Sequence, residues 1–368
     1  MMWLLLFALT ALVAVVPLWP AIQEWRRPSD AEPLHIDSED ALDPCFLAHD
    51  FSARLARANA SGQERMGQHA IGRVGESGRW PLTAAEQQEA ATARIWQCGG
   101  GAVLPPGIRF LAEVSAQGDL RSAEGGHYNA LLTAGHLQLS RASTVARWAH
   151  GREVDVGAAC QLRGRVSAER IITLRSDATF TLLHAPQIAF EAARLPAVLR
   201  LPVRWTGAAA PCAAPVRWDP VSRRGSSNEK IQVDGQLGWR GDLVSQQDIV
   251  LGAGCQAEGS LKARGEIRTG VACVVNGSIV AEGPIELGAQ GWVAGSVVSE
   301  TRVVLGAGCV VGAPGKPATV AAPRIDVSPG AVVHGTLWAG ELGRCMGAAV
   351  GLTATSDASL VEPQRLAA

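Results

Sequence analysis

Eight cysteines and eight histidines supply the side chains that could hold a metal or drive nucleophilic chemistry in this 368-residue chain. The cysteines stand at 45, 98, 160, 212, 255, 273, 309 and 345, and no two form a Cys-x-x-Cys pair. A zinc ribbon or a thioredoxin-type dithiol needs that close pairing, so neither is expected. Dispersed thiols in a long chain read as reduced, buried fillers of a cytosolic protein. An acyltransferase built on hexapeptide repeats would need a general-base histidine beside a cofactor groove. His334, in "AVVHGTL", is the sole histidine between 231 and 340, and the repeat pattern points it outward as a surface residue. His127 and His136, in "GGHYNALLTAGH", fall in an irregular stretch and are not expected to bind metal. A polysaccharide lyase or hydrolase would need acids clustered on one face. Here Lys262, Arg264, Glu282 and Glu300 mix signs, with Arg264 one repeat below Glu282. There is no P-loop and no dinucleotide fingerprint. A net charge of −1 offers nucleic acid no basic face. These residues point to no catalytic site, cofactor, metal or nucleotide.

The elements that carry these residues are set by repetition. Apolar positions recur at Ile231, Ile249, Ile267, Ile285 and Val303, each 18 residues after the last. A sixth repeat starts at Ile325, four residues late, with "GAPGKP" absorbing the slip, and an earlier pair starts at Val154 and Ile172. Within a unit the apolar residues form pairs two apart, as in Ile249 and Leu251, so both point to one face of a short strand. Pairs recur every six residues, separated by glycine or polar residues. Gly252, Gly270, Gly288 and Gly306 share one corner; Gly241, Gly259, Gly277, Gly295 and Gly335 share another. Three strands per 18 residues make a triangular coil, and coils stack about 4.8 Å apart. The expected fold is an all-β, three-faced β-helix. Cys160, Cys255, Cys273 and Cys309 fall in one inward column, one thiol per coil, with no histidine beside them.

The remaining segments are read from composition and local signals. Met1 to Gln23 carries no charge and is long enough to span a bilayer, with Trp3, Trp19 and Trp25 near its ends. Arg26 and Arg27 follow it, which places the bulk of the chain in the cytoplasm by the positive-inside rule. Residues 24–44 read as a linker. Residues 45–104 read as a small helical segment, with Thr83 and Glu86 as a capping box and Gly99-Gly100-Gly101 as its stop. First β-helix coils are expected over 105–187, a Pro-rich insertion bulging from the helix over 188–230, the regular array over 231–342 and a flexible tail over 343–368.

The stretch "VNGSIVAEGPIELGAQGWVAGSVVSETRVVLGAGCVVG" resembles the bactofilins, bacterial polymer-forming cytoskeletal proteins. Their Gly-x-Ile/Val-x-Ala pattern is matched by Gly277-Ser278-Ile279-Val280-Ala281, and their Val-x-Ile/Leu-x-x-Gly-Ala-like pattern by Val303-Val304-Leu305-Gly306-Ala307. The likeness is strongest over 231–340 and absent before about 105. It implies a right-handed β-helix that joins end to end without nucleotide, attached to the inner face of the bacterial inner membrane, where it positions cell-envelope enzymes. Two features depart from that family: the anchor looks like a full single-pass span, and no Phe follows Phe190 to serve in an end contact. A β-helix also exposes unpaired backbone at its ends. The last repeat has Ile325, Val327, Val333 and Leu337 inward and Trp338 beside them, with no capping helix after it. That coil is the expected self-association surface. The expectation is therefore a membrane-anchored, self-associating scaffold rather than an enzyme. The alternatives are a hexapeptide-repeat acyltransferase, or a monomeric β-helical module that binds a partner through its outer face or helical segment.

Overall fold

In the computed structural model, residues 43–75, 79–191, 201–206 and 216–347 are described, with Met2, Trp3, Trp19 and Arg26 besides. The chain divides into a unit Met1–Phe46 and a unit Leu47–Ala368. All of the expected span 1–23 except Met2, Trp3 and Trp19, most of the linker 24–44 and the tail beyond 347 fall outside the described residues. Among the described residues no helix is long and apolar enough to cross a membrane.

The second unit is a β-solenoid of roughly 13 coils, each about 18 residues. Its register is the one the repeats dictate. Ile231, Ile249, Ile267, Ile285, Val303 and Ile325 pair successively in parallel, as do Val154 and Ile172. A representative coil has strands Ile249–Leu251, Gln256–Glu258 and Leu261–Ala263, with Ile249, Leu251, Ala257, Leu261 and Ala263 buried. Only the period-two alternation lets strands this short fill one continuous core. The "GAPGKP" excursion folds on itself through a bridge between Ala313 and Lys316, so the ladder resumes without loss of register. Outside, Arg240 meets Glu258, Arg268 meets Glu286 and Arg264 meets Glu282 one coil on. Such exposed pairs contribute little to stability.

The solenoid begins earlier than expected, which corrects the reading of 45–104 as a helical segment. Helix α1 is Phe46–Ala60, and helix α2 is only Ala84–Glu89. The Thr83–Glu86 capping box is present, but Ala90 takes a left-handed conformation (φ 51°) and ends α2 at once. Arg94 beside Glu86 holds that carboxyl down at about 2, helped by Thr92 and Thr83 against the cost of burial. Ala91–Thr92 then pairs with Arg109–Phe110, and Ile95–Cys98 lies between Ile71–Val74 and Val114–Ala116. Ile95 and Trp96 point to opposite sides of a strand rather than along a helix. Trp96 enters the solenoid core and Ile95 packs outward under α1. The first array therefore runs from His69 to Phe190 and already contains Phe110, Tyr128, Val145, Leu162 and Phe180 as an inward column.

The expected insertion at 188–230 is likewise not a bulge between successive coils. Thr179–Phe190 is the end coil of the first array, and its next neighbour is Val332–Cys345, the end coil of the second, in antiparallel register. The two arrays thus abut by their C-terminal ends. The chain must travel back along about six coils, close to 30 Å, before it can wind the second array toward the same junction. Arg204–Trp205 already pairs with Leu237–Gly238 at the far end of the second array, so 13 residues, Glu191 to Val203, are left for that return, and ten extended residues would span it. Residues 343–345, expected to be flexible tail, are strand, with Val327 opposite Cys345.

Candidate functional site

The junction holds the residues expected to mediate self-association. Ile325, Val327, Val333 and Leu337 are buried, while Trp338 is 60 % exposed. Strand Val332–Cys345 has Ala318–Val327 on one side and Thr179–Phe190 on the other. Leu183 stands opposite Leu337, Ile188 opposite Val333 and Leu182 opposite Trp338. Backbone bonds close the seam at both extremes: Gly330 N–H to the Phe190 carbonyl at 2.8 Å, and Cys345 N–H to the Ala178 carbonyl at 2.9 Å. The coil that looked uncapped is capped by the chain's own other array. This corrects its reading as a surface open to a second molecule.

His334 is also corrected. It is 4 % exposed, not an outward surface residue, because the antiparallel coil covers it. Its Nδ1 lies 3.0 Å from the Pro186 carbonyl, so it donates there; across the seam His184 Nδ1 is 2.9 Å from Thr336 Oγ1. His127 is exposed and His136 Nε2 faces Asp155 at 3.1 Å. Among the described residues no group of three or more His, Cys, Asp or Glu converges as a metal site.

An irregular segment lies over the outer end of the first array, and short paired strands lie at the outer end of the second. At the first, Trp80 lies 5.3 Å from Trp96 and 5.4 Å from Phe110 between ring centroids, and donates Nε1–H to the Val103 carbonyl at 2.9 Å. At the second, Arg204–Trp205 pairs with Leu237–Gly238, and the hairpin Arg217–Asp219 with Arg224–Ser227 pairs onto Asp242–Ser245.

A flank of the first array carries α1. Its buried Ala48, Phe51 and Leu55 recur at helical spacing and join Ile95, Ala112, Ala130 and Trp148, which stack from successive coils. Phe51 and Trp148 rings lie 5.5 Å apart, and His49 and His150 rings 6.0 Å apart. Beside the helix is a cleft of about 280 Å³ lined by His49, Ser52, Gln97, Ser115, His150 and Glu169, among others. His150 is buried and bonded through Nδ1 to Ser167 Oγ at 2.8 Å. The alternation at 95–96 and the spacing of 48, 51 and 55 were the only sequence signals for this packing.

The thiols sit as the columns require. Cys255, Cys273 and Cys309 are buried in the second array, Cys160 and Cys98 in the first, and Cys345 at the junction. Burial pushes Cys98 up to about 11 and Cys309 up to about 12; Cys273 is raised by its bond to Cys255 and by burial. These groups stay protonated in the fold where an unfolded chain would ionise near 9. The folded state then binds more protons, so stability falls as pH climbs from about 9 towards 12. Melting temperature should drop across that interval. At pH 8 the buried thiols of Cys98, Cys160, Cys255, Cys273, Cys309 and Cys345 should not react with Ellman's reagent before denaturant is added. Rapid titration of any of them would contradict the packing.

Comparison with family models, with curated proteins and with solved structures finds no match to the chain. Fold and site together define a β-solenoid protein in which two coil arrays meet end to end within one molecule.

Proposed function

We propose that the chain is a non-catalytic scaffold: a rod, tethered to the bacterial inner membrane through residues 1–23, that presents its sides to cell-envelope proteins. Right-handed winding and a cytoplasmic disposition, both implied by the bactofilin resemblance and the charge pattern, belong to this reading. The observation that carries it is the junction. The end-to-end contact that such a protein would use to polymerise is made in cis, with Leu337 and Val333 paired to Leu183 and Ile188. The outer ends are dressed with Trp80 on one side and Trp205 on the other. What remains accessible along the rod is its flank. This favours single rods over filaments.

Light scattering and negative-stain microscopy of the full chain in mild detergent test the reading. Particles should be single rods about 60 Å long, the product of roughly 13 coils and a 4.8 Å rise, at every concentration. Filaments that lengthen with concentration would instead restore the polymer.

A further inference from the structure

The face that α1 covers continues past the junction without α1. In the first array an outward column includes Ala130 and Trp148, and Trp148 is 3 % exposed beneath Phe51. By register the same column passes through Arg165 and Leu182 to Trp338. It then runs through Ala321, Val298, Val280 and Lys262 to Val244. Here the apolar side chains are open: Trp338 is 60 % exposed, Val280 37 % and Val298 36 %. Over the outer coils this face is hollowed into a groove of about 460 Å³, floored by Ser260, Lys262, Ser278 and Val280. Val280 and Val298 stand exposed one above the other, with Lys262 on one side and Ala321 and the exposed Trp338 on the other, and an apolar patch open to water marks an interaction surface.

We infer that this groove docks one amphipathic helix of a partner protein, laid along the rod as α1 is laid on the first array. The occupant follows from what already covers the same column. Helix α1 meets it with Ala48, Phe51 and Leu55, one apolar residue per turn. From Val244 to Trp338 the column crosses five coil steps, about 24 Å. That matches a helix of about 16 residues at 1.5 Å each, nearly the length of the 15-residue α1. Charge sets the polarity. Arg224 and Lys262 lie at the outer end of the groove, and among the described residues neither is in an ion pair. Arg264 is already held by Glu282 at 3.7 Å, and Asp242 accepts the Ser260 N–H. The docked helix therefore ends over Arg224 and Lys262, with acidic residues in its last turns and its carbonyl end facing the cations. Its first turn lies near Trp338. The inference deepens the scaffold reading and rests on it, because a side groove matters only if the rod works by presenting its flank.

The test is fluorescence anisotropy with a labelled 16-residue peptide carrying leucine at positions 2, 6, 9 and 13 and glutamate in the last two turns. The protein is the full chain in zwitterionic nanodiscs, with empty discs subtracted. Saturable micromolar binding is expected. It should weaken at least tenfold for Val280→Lys with Val298→Lys, whose exposed positions leave the circular dichroism unchanged. Arg224→Glu with Lys262→Glu should also weaken it, and a peptide with lysine in place of glutamate should restore it. No saturable binding, or equal binding by the valine variants, overturns the inference. Disulfide-linked dimers formed efficiently by Val298→Cys protein would assign the face to a second copy and overturn it as well. Absent peptide binding together with single rods removes the helical partner and leaves the scaffold reading. Filaments remove the single-rod reading whatever the peptide does.

Discussion

Leu337→Asp and Val333→Asp are each expected to unfold the chain rather than to dissociate an assembly. Both side chains are fully buried, and each faces an apolar residue of the opposite array, Leu183 and Ile188. A carboxylate placed there has no cation to meet and loses both its hydration and the apolar contact. The cost is about 4–5 kcal/mol or more, comparable with the whole stability of a typical domain. Trp338→Ala, on the same strand but facing solvent, should cost less than about 1 kcal/mol. Denaturation in guanidinium followed by far-ultraviolet circular dichroism separates the two outcomes. If Leu337→Asp protein kept the native transition while losing only higher-order association, the coil would be closed by another molecule and not by residues 179–190.

Gly288→Val is the second large effect, and its cause is space rather than conformation. A Cβ at Gly288 would lie 2.2 Å from the Gly270 carbonyl oxygen, 2.4 Å from its carbon and 2.7 Å from the Thr269 oxygen. All three are backbone atoms of the coil below. They cannot withdraw, because the ladders around them hold adjacent coils about 4.8 Å apart. Relief requires the coils to part at that corner, which breaks several cross-coil hydrogen bonds at about 1 kcal/mol each and opens the core. A loss of at least about 3 kcal/mol is expected, with soluble yield reduced. Gly315→Ala is the contrast. Nothing lies within 4 Å of that position, and only its positive φ of 74° opposes a side chain, at a cost of about 1 kcal/mol. Equal thermal shifts for the two variants would show that the corner glycines are not held by stacking.

Both expectations turn on features that differ in how far they could be read from the chain. The corner glycines, the 18-residue register and the thiol column are periodic and local, so each residue's side of the strand follows from its offset. Ile249 over Ile267, and Cys255 in line with Cys273, needed no tertiary information. The segment 64–104 was harder. "EQQEAATARIWQC" has good helix formers and a real capping box, yet only six residues are helix. The strand neighbours at Ile71–Val74 and Val114–Ala116 override the propensity of Ile95 to Cys98. The flank cleft of α1 was invisible for a related reason, since it assembles His49 and His150 from elements a hundred residues apart.

By itself the sequence determined that this is a stack of 18-residue β coils, which residues line its core, and where its corner glycines fall. Tertiary structure alone decided where the stack ends. Leu337 and Val333 present the same apolar face whether the covering strand belongs to this chain or to another, and no local pattern distinguishes the two. The choice depends on a seam between residues about 150 positions apart, running antiparallel where every repeat runs parallel. Periodicity carries information about a coil and its successor, but the partner at the last coil has no successor to predict it.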